Sequence, residues 1–280
     1  ILTVFNKLIE EGINVIFTDN LPENQHDLSK TASVINLKEL PTNLASIAEI
    51  SLGNPFSELV YYQYQKENKD YWMFFNESLD KIVDTKIHFS QKKGRPVAYD
   101  AYEDSYHPVY DNHLLLKPYQ TIVWIFGGDF ETQAKASVIS TETLTSMWTV
   151  SLSKATDYPN FTEIGKVAKL APINSFKEFD RMSGTAAYTT KIRVENADTI
   201  IGLDLGKAYE IAEVFINGIS VGQQIAPPYQ FAIEGILKEG DNELRIEVTN
   251  TLGTQFRGGL NQYLTIEPFG LTEEIKILRK

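Results

Sequence analysis

Apolar residues recur at alternate positions through much of this chain, and the clearest run lies in its last third. From Ile211 to Ile216, Ala212, Val214 and Ile216 fall on one face and Glu213 and Phe215 on the other, the two-residue period of a β-strand. Asn217-Gly218 ends the run; both central positions of a type I′ turn need φ > 0, which Asn and Gly tolerate best, so a hairpin is predicted with a return strand from Ile219. Ala226-Pro227-Pro228-Tyr229 cannot lie in a central strand, because consecutive prolines supply no N–H to a ladder, and reads as a loop crossing a sheet edge. Alternation resumes at Tyr229, Phe231 and Ile233. After a turn at Gly240-Asp241-Asn242, Leu244, Ile246 and Val248 form an apolar face opposite Glu243, Arg245 and Glu247. One apolar and one wetted face per strand is the pattern of antiparallel sheets over a shared core, half of a β-sandwich.

The first fifty residues read differently. Leu2, Phe5, Leu8 and Ile9 have helical spacing, Gly12 stands where a helix is closed by glycine, and Ile13, Val15, Ile16 and Phe17 make a short buried strand. Val34 and Ile35 suggest another short strand, and Pro41 to Ile50 a helix. One αβ pair cannot bury both faces of a parallel sheet, so further strands are expected upstream, and the segment fits the tail of a flavodoxin-like domain. From Leu59 the chain becomes strand-rich: a strand, a polar turn at Lys66 to Lys69, a strand ending at Asn76, alternation from Ile82 to Phe89, an exposed turn at Lys92 to Arg95, and two strands around a corner at Pro118. Short strands at this spacing indicate a β-sandwich. A third part opens at Trp148 to Leu152. A long connection with Pro159 and Pro172 follows, in which Ser175 to Gly184 is predicted to form a helix. Strands at Thr185 to Val194, Ile200 to Leu205, Tyr263 to Ile266 and Ile275 to Leu278 complete a pattern that suits an eight-stranded jelly roll. The expected fold is thus mainly β: an α/β remnant over 1–57, a β-sandwich over 58–145 and a jelly roll over 146–280.

The run LDLGKAYEIAEVFINGISVGQQIAPPYQFAIEGILKEGDNELRIEVTN from Leu203 resembles the sugar-binding jelly roll of glycoside hydrolase family 2 and its relatives, a galactose-binding-like domain. The likeness is carried by the Leu-x-Leu-Gly strand end, the hairpin around Asn217-Gly218, the Pro-aromatic segment, and the strand with alternating Leu244, Ile246 and Val248 that ends at Asn250. Tyr71 to Asn76, Asp100 and Leu114 to Thr121 extend it towards the C-terminal region of family 106 enzymes, the α-L-rhamnosidases; Glu103-Asp104-Ser105 departs from the glycine-bearing corner of that family. The resemblance implies an accessory region of a larger bacterial glycoside hydrolase, whose catalytic domain lies upstream in the same polypeptide and whose partner is carbohydrate. Some relatives carry an asparagine just before the Pro-Pro-aromatic segment, where it can meet substrate; Ala226 stands there here.

Composition narrows the chemistry. With 42% hydrophobic and 22% charged residues the chain has the make-up of a globular protein, and its net charge of −11 without clustered lysine and arginine argues against a nucleic-acid partner. No apolar run approaches the roughly 20 residues of a membrane-spanning helix. The absence of cysteine excludes disulfides, thiol catalysis and Cys-ligated zinc, and leaves both the bacterial cytoplasm and export open as locations. No cofactor is expected; a structural calcium would need converging oxygens, and no dense Asp/Asn motif provides them.

Candidate catalytic groups are few. Glu103 and Asp104 are adjacent, so on a strand they would point to opposite faces and could not flank one glycosidic bond. His26, alone in a polar loop, reads as solvent-facing and not catalytic, and His107 and His113, six apart, lack metal-ligand spacing. Tyr99, Tyr102, Tyr106 and Tyr110 could stack on sugars but suit sandwich packing better. Binding residues are expected on loops at one end of the jelly roll. Gln223, Gln224 and Tyr229 around the double proline, and Gln255 and Arg257 in the later loop, supply the amides, the guanidinium fork and the aromatic ring that neutral sugars require. Two functions follow, an accessory region that supports or rims a catalytic domain or an independent carbohydrate-binding module, which glycan retention by the isolated chain would distinguish; a third, a complete enzyme with its own active site, has no support in the sequence and would show as activity of this chain alone on aryl glycosides.

Overall fold

The computed structural model describes residues 2–21, 32–91, 93–134, 137–256 and 267–280. The chain is mainly β and divides into two compact units, one comprising Ile1–Phe56, Thr85–Arg95 and Tyr110–Leu114, the other Ser57–Asp84, Pro96–Val109 and Leu115–Lys280. No helix among the described residues is long and apolar enough to cross a membrane.

In the first unit, helix α1 (Leu2–Glu10) is closed by Gly12 at φ 82°, where the Gly12 and Ile13 amides donate to Ile9 and Leu8 carbonyls. Strands β1 (Ile16–Thr18) and β2 (Ser33–Ile35) pair in parallel, and Phe17 meets Phe5 of α1 edge to face. The predicted strand from Ile13 is shorter than its apolar run, and Ile13 itself is exposed. Helix α2 (Leu40–Ile47) starts with Pro41 in its first turn and stops three residues earlier than the pattern suggests, because Ile50 is claimed as a buried position of β3 (Ile50–Leu52).

A five-stranded antiparallel sheet follows. It is built from β4 (Leu59–Lys66), β5 (Lys69–Asn76), β7 (Val97–Asp100), β8 (Ser105–Pro108) and β10 (Thr121–Phe126), in the order β4-β5-β10-β7-β8. β6 (Val83–Phe89) and β9 (His113–Leu116) form a separate three-stranded sheet with β3. Glu67 and Asn68 both take positive φ in the β4–β5 turn, the geometry of a tight hairpin. Trp72, Phe74 and Trp124 face inward and are fully or almost fully buried, while Asn76 satisfies its buried amide on the carbonyls of Lys81, Leu116 and Lys117.

The C-terminal half is a six-on-four sandwich. It comprises β11 (Ser140–Thr143), β12 (Trp148–Lys154), β13 (Thr162–Val167), β14 (Gly184–Val194), β15 (Ile200–Asp204), β16 (Ala208–Tyr209), β17 (Ile211–Ile216), β18 (Ile219–Gln224), β19 (Gln230–Ala232), β20 (Gly240–Thr249), β21 (Gly270–Leu271) and β22 (Lys276–Arg279). One sheet runs β13-β12-β14-β20-β17-β18 and the other β11-β22-β15-β19, with a small β16-β21 pair. A single apolar cluster joins them: Trp148, Tyr188, Val214, Ile246 and Val248 from the larger sheet meet Leu203, Phe231 and Ile277 from the smaller. The Asn217-Gly218 turn forms as predicted, at φ 52° and 80°, and Asn217 is tied to Asn242 and the Glu243 amide.

Two expectations for the long connection fail. It contains a strand, β13, and in place of a helix over Ser175 to Gly184 there are only single 3-10 turns at Ile173–Ser175 and Lys177–Phe179. Phe176 between those turns is extended, which prevents them from merging into one helix. The strand predicted at Tyr263 to Ile266 lies outside the described residues, as does His26.

Candidate functional site

The outward face of the six-stranded sheet carries a concavity of about 350 Å³. Its floor follows from strand alternation. β17 and β20 turn Val214, Ile246 and Val248 into the core, so Ile211, Glu213, Glu247 and Thr249 must face out. The ladder aligns these residues in two rungs: Gln223, Glu213, Glu247, Ala187 and Ser151 lie side by side across five strands, and Ile211, Thr249, Thr185 and Ser153 across four. Ala187 and Ser153 in these rungs are covered, and the cavity opens over Thr185, Ile211, Glu213, Gln223, Glu247 and Thr249. Gly184 closes one end, where an added Cβ would sit 2.1 Å from the Ser153 carbonyl.

The wall comes from the β12–β13 connection. The Tyr158 hydroxyl donates to Glu247 Oε2 at 3.2 Å, and Arg245 lies 4.6 Å over the Phe161 ring while donating through Nε at 2.8 Å to Glu247 Oε1. Glu247, only 9% exposed at its side chain, is therefore a partnered buried carboxylate. Burial first, and then the negative charge of Glu247, raises the Tyr158 pKa, so this phenol stays a hydrogen-bond donor. Glu213 accepts from Ser220 Oγ at 2.7 Å and makes no ion pair among the described residues.

The residues proposed from sequence are not brought to one place. Gln223 lines the groove. Gln224, next to it on β18, points to the other face; its Nε2 donates to the Gln230 carbonyl, and its buried Oε1 has no partner among the described residues. Tyr229 is 5% exposed within the sandwich core, and its pKa is pushed up to about 12 by burial foremost, then by Glu210, Tyr102 and Tyr209. Gln255 is exposed in the turn after Thr254, with its amide on Leu252, and Arg257 lies outside the described residues. Tyr158 and Glu213 were missed. The signal that could have found them was the outward alternation of Glu213, Arg245 and Glu247 on paired strands, read together with the aromatic pair beside Pro159.

Elsewhere, Glu103 and Asp104 form a turn with Asp104 at φ 45°. Asp104 accepts from the Tyr99 hydroxyl and Glu103 lies 3.3 Å from His107, whose other nitrogen is engaged by the Gln133 carbonyl. Tyr106 stacks between Tyr99 and Phe130. These contacts organise a loop and present no pair of carboxylates across a cleft. The described residues hold no cluster of three or more His, Cys, Asp or Glu able to hold a metal ion.

The fold is shared with a segment of a larger enzyme. All of the chain superimposes on 32% of a rhamnosidase from Novosphingobium sp. PP1Y, with a TM-score of 0.65 at 16% sequence identity. A β-glucuronidase from an uncultured Clostridium species is a more distant likeness, with a TM-score of 0.40 over 55% of this chain and 31% of that one. Over 72 residues the chain is 36% identical to a protein of Formosa agariphila named "Putative beta-glucuronidase", a match covering 24% of this chain and 6% of that protein. No family model matches. The chain thus spans about a third or less of the proteins it is similar to.

Proposed function

We propose that this chain is the non-catalytic accessory region of a larger glycoside hydrolase related to the family 106 rhamnosidases. In this reading 1–57 is the tail of an upstream domain, 58–145 a β-sandwich, and 146–280 a galactose-binding-like jelly roll that supports or rims the catalytic domain of the same polypeptide and handles carbohydrate. The observation that carries it is the fold likeness over the whole chain to one third of a rhamnosidase. Fold alone does not define chemistry, so the division between accessory and catalytic roles is put to the assay below. Glu213 and Glu247 are neighbours on one sheet face, and Glu247 is neutralised by Arg245.

The outward face of the five-stranded sheet supports the same conclusion. Tyr62 and Tyr64 of β4, Met73 of β5 and Val123 of β10 line up on it, and the two tyrosines are 62% and 49% exposed. Strands that are apolar on both faces are those buried on both faces, so this face is read as the seat of the upstream domain. Assays of the isolated chain and of the full-length protein on nitrophenyl α-L-rhamnoside and β-D-glucuronide test the proposal. Turnover only by the full-length protein is expected; turnover by the isolated chain overturns the reading.

A further inference from the structure

The groove on the six-stranded sheet has the chemistry of a ligand site, and its charge indicates which ligand. Binding pockets run from about 300 to 1,000 Å³ and combine an apolar wall with a few fixed polar groups. Here Ile211 and the half-exposed Tyr158 ring supply the wall, and Gln223, Glu213, Thr185 and Thr249 supply the polar groups. The two threonine hydroxyls are 2.8 Å apart and one donates to the other, so the pair keeps one free O–H and several lone pairs for a guest. An amide offers both. Each sugar hydroxyl is likewise both donor and acceptor, and a pyranose C–H face packs on an aromatic ring. Among the described residues lining the groove, a phosphate or nucleic acid would meet two carboxylates and no cation, and the nearby Arg245 is committed to Glu247 at 2.6 Å.

We propose that this groove binds a neutral saccharide, with Tyr158 as its stacking wall and the Glu213 carboxylate as acceptor for its hydroxyls, and that Glu213 excludes uronic acids by like-charge repulsion. The inference rests on the reading of the C-terminal sandwich as a sugar-handling domain. It moves the contact from the strand-end loops to the sheet face.

Titration of the full 280-residue chain, followed through amide resonances, with sugars that differ only at C6 tests it. Galactose is compared with galacturonate and glucose with glucuronate, and rhamnose is included as a further neutral sugar. At least one neutral sugar is expected to shift resonances of β14, β17, β20 and the Tyr158 loop, and to bind at least about ten-fold more tightly than its uronate partner. Tyr158→Ala should abolish these shifts, Tyr158→Phe should preserve most of them, and Glu213→Gln should bring the uronate within about three-fold. Gln255→Ala should leave them unchanged. No shift in the groove with any neutral sugar, equal or tighter binding of a uronate, or shifts confined to the Gln255 turn would each overturn the inference. None of these outcomes bears on the accessory-region reading, which falls instead on turnover by the isolated chain.

Discussion

Two outward sheet faces within the same compact unit have opposite character. On the five-stranded sheet, Tyr62, Tyr64, Met73 and Val123 point away from the buried Trp72, Phe74 and Trp124, so β5 and β10 are apolar on both sides. On the six-stranded sheet, Thr185, Glu213, Arg245, Glu247 and Thr249 point away from the core beside Ile211 and Phe215, so the outward row is mixed, with charged and hydroxyl groups interrupting its apolar members. Both sheets are antiparallel and closely similar in construction. What differs is how the outward row meets its need for partners: the polar face satisfies itself through Arg245, Tyr158 and Ser220, whereas much of the tyrosine face makes ring contacts, as between Tyr64 and Tyr71 at 5.9 Å. The first row is polar and largely self-partnered; the second leaves Tyr62 and Tyr64 open to solvent.

The comparison breaks most visibly on inner against outer positions. Trp124→Ala, at a 2% exposed site, should cost about 3–5 kcal/mol in chemical denaturation, whereas Tyr62→Ser on the opposite face should cost within about 0.5 kcal/mol in the isolated chain. Similar costs at both sites would mean that the tyrosine face is already covered. Next in size is the ion pair beneath the groove. Arg245→Met strands Glu247 with only Tyr158 as partner and should cost about 2 kcal/mol, below the usual range for a buried pair because Arg245 is 30% exposed. A neutral or stabilising result would show that Glu247 is solvated in the groove.

Tyr229 separates core from contact. Its folded-state pKa of about 12 lies above the usual 10, so its contribution to stability is full below pH 10 and is lost as the pH rises towards 12. Tyr229→Phe should therefore reduce the alkaline loss of stability by on the order of 2 kcal/mol, without altering sugar-induced shifts; if the shifts vanish, Tyr229 is a ligand contact. The smallest effect belongs to Glu58, whose hydrogen bonds from Lys81 and Ser57 lower its pKa to about 2. A depressed carboxylate contributes above its unfolded value of 4.5 and loses that contribution as the pH falls through about 2. Glu58→Gln should flatten that acid limb in a pH series of melting temperatures while barely moving the neutral value, since the pair is exposed.

Much of the fold was legible because a local rule sufficed. Alternation placed β17 and β20, and the Asn217-Gly218 dipeptide gave the β17–β18 hairpin that sets Gln223 beside Glu213, whereas the pairing of β17 with β20 that adds Glu247 to the row is not local. β11 was not legible, since Ser140–Thr143 is exposed at every position and becomes a strand only by pairing with β22, far along the chain. β13 is an edge strand with a glycine at φ 146°, so its apolar period is broken. The site was legible only in part. Gln223 and Gln224 are neighbours in sequence, but a strand sends them to opposite faces, and the loop reading treated them as one contact. Tyr158 reaches Glu247 across 89 residues, a juxtaposition that no local pattern encodes.

Radical footprinting of tyrosines, on the isolated chain and on the full-length protein, tests the contrast between the two faces most directly. The account predicts several-fold protection of Tyr62 and Tyr64 in the full-length protein, with Tyr158 labelled equally in both until a neutral sugar is added. Equal labelling of Tyr62 and Tyr64 in the two samples, or loss of Tyr158 labelling on assembly without sugar, would contradict it.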